Sequence, residues 1–533
     1  MRKPLTAALC ALALAACQGK VSRPACPQGQ VCLEYGAEIE PLTLDPQKAN
    51  LIAEFRIIGD LMMGLTTEDP QANPVPGMAE RWETSPDGLT WTFHLRDARW
   101  SDGVPVTAGD FVFGMQRLVD PDTAGIYAYL ASPIVGASAI TEGKAPLSTL
   151  GVRALDAKTL QIRLEHPVPY LPQLLMLLAF YPAPKHVVEK YGDAWVQPGK
   201  YVSNGPYKLV SWQLGNKIQA VKNPHFFEAP KVCVDRINYY PTPDVISAER
   251  RVQRGELDIN TQFQSNRLQR LNEVMPGYAR THVSLATAYL SFNTRDVAAF
   301  RDVRVRRALS MAIDRDFITA KLMRAGQVPA YSFVTPGTAG YVDPPPQVSW
   351  AGLSYEQRQA QAKALLAQAG YTDDRPLKVE IKSANVTETL LLMEAVQADW
   401  RSIGVDVSLV QSEGQVAFAD YRERNFEVGS MSWYADFNDP LTFLGLFQSQ
   451  TGAQNYGDYN NPRYDALLAQ ADLEPDMDRR ARILAEAEQL MLSEDATAPI
   501  YFVVNKALVN PRVTGWVGNA LNFHRARWLC VRR

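Results

Sequence analysis

A helical period that repeatedly gives way to short β-branched runs restricts this chain to layers of helix on sheet. Leu391, Leu392, Val396, Trp400 and Ile403 form a helical stripe, Gly404 stops it, and Val405 to Val410 then reads as a strand. Ile483, Leu484, Ala487, Leu490 and Met491 carry a second stripe ahead of a strand from Pro499 to Val504. Upstream, Ser354 is placed to cap a helix from Glu356 to Ala369, with Leu365 and Leu366 on its buried face and Gly370 as the stop. In the first half, Val31 to Gly36 reads as a strand, and Leu89 to Leu95 alternates so that Trp91, Phe93 and Leu95 share one face. Alternation of this kind implies α/β layers. No internal repeat or low-complexity segment interrupts it.

The chain has 533 residues, more than one ordinary domain needs, and each part is long enough to bury its own core. Hydrophobic residues make up 46% and charged residues 21%, which rules out disordered and collagenous classes. The formal charge is −3 and no run of Lys and Arg occurs, so nucleic acid is not an expected partner.

Arg2 and Lys3 precede an apolar run from Leu5 to Ala16, too short for a stable membrane span. The run ends Leu14-Ala15-Ala16-Cys17, which resembles the bacterial lipobox. That resemblance implies a lipoprotein signal peptide over 1–16 and lipidation of Cys17, so that the protein meets the membrane through lipid only. Loss of residues 1–16 takes the formal charge from −3 to −5. Setting aside Cys10 and Cys17, four cysteines remain: Cys26, Cys32, Cys233 and Cys530. In an oxidising compartment they suggest two disulfides, with three connectivities open. Cys26 and Cys32 are close enough to close a small loop, which would leave Cys233 to Cys530. A metal site is not expected, since no histidine clusters near these thiols.

Catalytic signatures are missing. There is no G-x-S-x-G, H-E-x-x-H, G-x-x-x-x-G-K-[ST] or G-x-G-x-x-G, and the six histidines are scattered. Paired acids such as Asp436 and Asp439 could in principle serve a lipid-anchored hydrolase. The plainer reading makes them turn and capping residues. No enzyme activity and no cofactor are expected.

Several stretches, taken in order, carry a resemblance. They include Met78-Ala79-Glu80-Arg81-Trp82-Glu83, Asp87 to Arg96, and Trp100-Ser101-Asp102-Gly103 through Phe111. Further along come Asn204-Gly205-Pro206-Tyr207, Arg254-Gly255-Glu256-Leu257-Asp258 and Phe300 to Ala308. The last are Trp433-Tyr434-Ala435-Asp436-Phe437-Asn438-Asp439-Pro440 and Pro499 to Asn505. Together they resemble the oligopeptide-binding members of the bacterial extracellular solute-binding proteins of family 5, the receptors of ABC importers. Most of the set also has a structural role: Asp87-Gly88, for example, is a turn between the Trp82 and Trp91 strands.

The resemblance implies a type II (cluster C) periplasmic binding protein fold, two α/β lobes joined by a hinge plus an extra domain. Lobe I would comprise 17–50, 187–285 and 502–533, the extra domain 51–186, and lobe III 286–501. It implies a periplasmic, lipid-anchored monomer that closes on an oligopeptide and delivers it to ABC permease transmembrane subunits. Such a receptor binds what peptides share, the backbone and charged ends, with side chains in hydrated pockets.

By the same resemblance Asp436 pairs with the peptide α-ammonium, and Glu38 is a second acidic position. Trp433 and Tyr434 wall the pocket, and Tyr127 and Tyr289 reach it. Ser430, Met323 and Thr389 stand where relatives carry basic residues. Tyr434 and Ala286 stand where relatives carry a cysteine pair. These departures motivate an alternative on the same fold: a murein peptide, opine, nickel complex or other small solute.

Overall fold

A computed structural model of the protein describes residues 25–532. The expected signal peptide 1–16 and Cys17 lie outside the described residues. Among the described residues, no helix is long and apolar enough to cross a membrane.

The elements read from the sequence are present, and for the reasons given. Helix Tyr355–Gln368 opens at Ser354, whose hydroxyl accepts from the Gln357 N–H while the Gln357 side chain accepts from the Ser354 N–H. Gly370 follows in the left-handed region at φ 89°, where a side chain would be strained. Helix Thr387–Ser402 buries Leu392, Val396 and Trp400, and helix Met477–Ser493 buries Leu484, Ala487 and Met491. Strand Thr90–Leu95 alternates with Trp91, Phe93 and Leu95 inward. It pairs antiparallel with Ala79–Thr84 across the Asp87-Gly88 turn, in a four-stranded sheet.

One large mixed sheet runs through the molecule. Its strand order is Asp406–Ser412, Lys378–Ala384, Val428–Tyr434, Ala279–Phe292, Thr497–Val509, Ile259–Asn260, Cys32–Gly36, Arg236–Tyr240, Lys217–Lys222 and Tyr207–Gln213. The two long central strands are antiparallel. Ala279 to Val283 pairs with Leu508 to Val504, and Thr287 to Ser291 pairs with Phe502 to Thr497. Between these blocks the register breaks, and the Leu285 N–H donates instead to the Ala520 carbonyl at 3.0 Å.

The break separates the two larger hydrophobic cores among the described residues. One is built from Leu33 through Ile259 and recruits Ala507 to Val531; the other runs from Leu285 to Ile500. Disulfides join Cys26 to Cys32 and Cys233 to Cys530, the pairing in which the small loop closes.

Much of the family-like signature is spent on this framework. The Asn204 side chain holds the Met63 backbone through both its amide groups, at 3.0 and 2.9 Å. A Cβ at Gly205 would sit 2.7 Å from the Leu61 backbone, so that close approach requires glycine. Asp258 accepts from the Glu34 N–H at 2.9 Å and pairs with Arg512.

Candidate functional site

Strand Val428–Tyr434 pairs with the crossing strand Ala279–Phe292, placing Tyr434 opposite Ala286 and Trp433 opposite Thr287. Ala435 continues the pairing, its N–H donating to the Leu285 carbonyl at 2.8 Å. The chain then turns. The Asp436 N–H donates to Thr442 Oγ1 at 3.1 Å. Phe437 stacks on Tyr170 with centroids 5.3 Å apart. Asp439 faces inward, accepting from the Leu441 N–H and from both terminal nitrogens of Arg480 at 2.7 and 2.8 Å. Asp439 is therefore the turn and capping residue expected on the plainer reading.

Two cavities meet at Asp436. The larger, about 640 Å³, lies between residues 128–174 and 433–454 and is walled by Trp433, Tyr129, Tyr170 and Phe437. Its volume is in the range of ordinary ligand sites. The smaller, about 160 Å³, is lined by Tyr127, Tyr434, Ser284, Leu285, Asn505 and the 520–525 segment. Each draws on both cores, so ligand in either touches both halves of the molecule.

Asp436 is half-buried, and its carboxylate accepts a hydrogen bond from the Tyr129 hydroxyl at 3.1 Å. Among the described residues, no Lys, Arg or His forms an ion pair with it. Burial pushes the carboxyl up to about 6, and the Tyr129 hydroxyl offsets only part of that. An unpaired carboxylate in such a place is costly until a cation arrives.

The cations near it are already engaged. The smaller cavity is lined by Arg56, Arg525 and His524. Arg56 pairs with Glu38 at 3.0 Å. Arg525 pairs with Glu68 and donates to the Phe55 carbonyl at 2.6 Å. Burial holds His524 well below its ordinary value, hence neutral, and it stacks on Trp516. Lys506 donates to Glu388 at 2.9 and 3.1 Å and to Ser265 at 2.7 Å.

Of the residues expected at the site, the structure gathers four: Asp436 on both cavities, Trp433 on the larger, and Tyr434 and Tyr127 on the smaller. Two expectations are corrected. Glu38 lines neither cavity; its carboxylate is taken by Arg56 and by the Thr261 hydroxyl at 2.9 Å. Tyr289 is buried in the second core, edge-on to Phe333 at 5.0 Å, on a stretch of strand Ala279–Phe292 whose side chains are buried throughout. Met323 and Ser430 are buried and Thr389 is half-buried, and none brings a cation to the cleft. Tyr129 was missed. Its signal was the spacing Tyr127-Ala128-Tyr129 in a tight turn, which sends one ring to each cavity.

Residues 73–455 match the model of "Bacterial extracellular solute-binding proteins, family 5 Middle". The chain is 38% identical over 488 residues to the periplasmic oligopeptide-binding protein OppA of Escherichia coli, covering 91% of this chain and 89% of that one. It is also 38% identical to the periplasmic murein peptide-binding protein MppA of Escherichia coli over 481 residues, 90% of this chain and 88% of that one. The solved structure of Haemophilus influenzae OppA in complex with RPPGFSPFR superposes with a TM-score of 0.81 at 32% identity, covering 94% of this chain and 99% of that one. With fold, length and sequence all in agreement, the chain belongs to the bacterial extracellular solute-binding proteins of family 5.

Proposed function

We propose that the chain is the peptide-capturing receptor of an ABC importer. It takes an oligopeptide between its two halves, holds the α-ammonium on Asp436, and hands the peptide to permease transmembrane subunits. One observation carries this reading: a half-buried carboxylate with no cation partner among the described residues, at the junction of two cavities. The relatives named for oligopeptide binding support the ligand class. Asp439, the other acid a hydrolase would need, is committed to Arg480, which favours binding over turnover.

In this reading lobe I comprises 17–50, 187–285 and 502–533, the extra domain 51–186, and lobe III 286–501. The register break in the crossing strands is the hinge. The protein works as a periplasmic monomer tethered by lipid on Cys17. Calorimetry with short peptides tests the claim: free peptides bind and their N-acetylated forms lose most of the affinity. Equal binding of the two forms refutes the role of Asp436.

A murein peptide is the second reading. It is favoured by the internal pairing of Arg56, Arg525 and Lys506, which leaves a conventional peptide carboxylate without an obvious cation, and by the equal identity to the murein peptide-binding relative. Native mass spectrometry of the protein as isolated separates the two: a spread of peptide masses supports the first, a single murein peptide mass the second.

A further inference from the structure

We infer that the larger cavity selects its occupant by charge, accepting basic or apolar groups next to the ligand's amino end and turning away acidic ones. This rests on the assignment of the ligand ammonium to Asp436.

No Lys, Arg or His is among the residues lining the larger cavity, which carries two carboxylates, Asp436 and Glu142. Once an ammonium neutralises Asp436, Glu142 remains. Its neighbour Lys144 lies 2.6 Å away, but both side chains are more than half exposed, at 73% for Lys144 and 55% for Glu142. An exposed pair of that kind is loosely held and screened by salt, so Lys144 neutralises Glu142 only in part. The walls add to the preference, because the faces of Trp433 and Tyr129 attract cations. A carboxylate brought into the same space loses water and meets no positive side chain among the lining residues. The smaller cavity offers no relief, since Arg56 and Arg525 are both paired.

The test compares Lys-Ala-Ala, Leu-Ala-Ala and Glu-Ala-Ala by calorimetry at low ionic strength, on the wild type, Glu142→Gln and Lys144→Gln. Both substitutions are at exposed positions, and a thermal melt of each variant checks that the fold is intact. The Lys-first peptide should bind roughly tenfold more tightly than the Glu-first peptide, with Leu-first between them. Glu142→Gln should narrow that gap, Lys144→Gln should widen it, and added salt should shrink it in all three proteins. Three equal affinities in the wild type, with acetylation of Leu-Ala-Ala still costly, overturn the charge selection alone. The same holds for a gap that neither substitution moves. Failure of all three peptides to bind, or an acetylated peptide binding like the free one, removes the Asp436 assignment and this inference with it.

Discussion

Replacing Asp436 by Asn removes a charge and almost no volume, so its effects can be worked out from the carboxyl's environment. Burial lifts that carboxyl from 3.8 to about 6. A shift of roughly two units at ~1.36 kcal/mol each is about 3 kcal/mol. Solvent screening of a half-buried group brings this to roughly 2 kcal/mol. The sign follows from proton linkage. The folded, empty protein holds the proton more tightly than the unfolded chain, so stability falls as pH rises from about 4 to about 6 and stays reduced above that. A ligand ammonium relieves the cost. Peptide affinity should therefore be flat above about pH 6. Below it, affinity should fall by up to about tenfold per unit, because each binding event must displace a proton. Asp436→Asn should stabilise the empty protein at pH 7.5 by up to ~2 kcal/mol, weaken peptide binding roughly a hundredfold, and abolish the pH slope. Calorimetry from pH 4.5 to 8, in buffers of different ionisation enthalpy, reads the affinity and the proton released. A variant that keeps the slope, or a wild type whose binding is flat through pH 5, refutes the reasoning.

Tyr129→Phe deletes the hydroxyl that supports the ionised Asp436, so the acid-side fall in affinity should move upward by up to roughly one pH unit in the same titration. Asp439→Asn strands the buried Arg480 and should cost about 3–5 kcal/mol in chemical denaturation, with secondary binding loss as the Asp436 turn loosens. Glu388, on helix Thr387–Ser402, accepts from Lys506 and from the Ser265 N–H; burial opposes its charge, yet those donors hold its carboxyl below the ordinary value. That contribution is present at neutral pH and fades as acid protonates the carboxyl, so Glu388→Gln should increase the ligand-free radius of gyration at pH 7 in small-angle scattering. An unchanged radius at pH 7 would show that this bridge does not restrain opening.

The layered fold was legible because its cues are local. Ser354, Gly370 and Gly404 mark helix ends through backbone geometry that any environment would preserve, and the Trp91–Phe93–Leu95 alternation needs only one buried face. Asp436 was legible through its family context. Glu38 and Tyr289 were not, and for different reasons. The partner that neutralises Glu38 is Arg56, on a helix 18 positions on, and nothing in the spacing shows the two side chains meeting. Tyr289 lies where strand Ala279–Phe292 is buried on both faces, so alternation alone does not show which of its residues reach a cleft. The pairing of Lys506 with Glu388, 118 positions apart, depends likewise on tertiary packing.

The uneven division of the cores also bears on how the molecule is made. Residues 285 to 500 are contiguous and can close on themselves as soon as they emerge. The other core begins at Leu33 yet draws Ala507 to Val531 from the far end, where Cys530 also waits for Cys233. During synthesis the part begun first is thus completed last. A nascent chain that remains open until its final residues arrive keeps its early segments extended through most of synthesis.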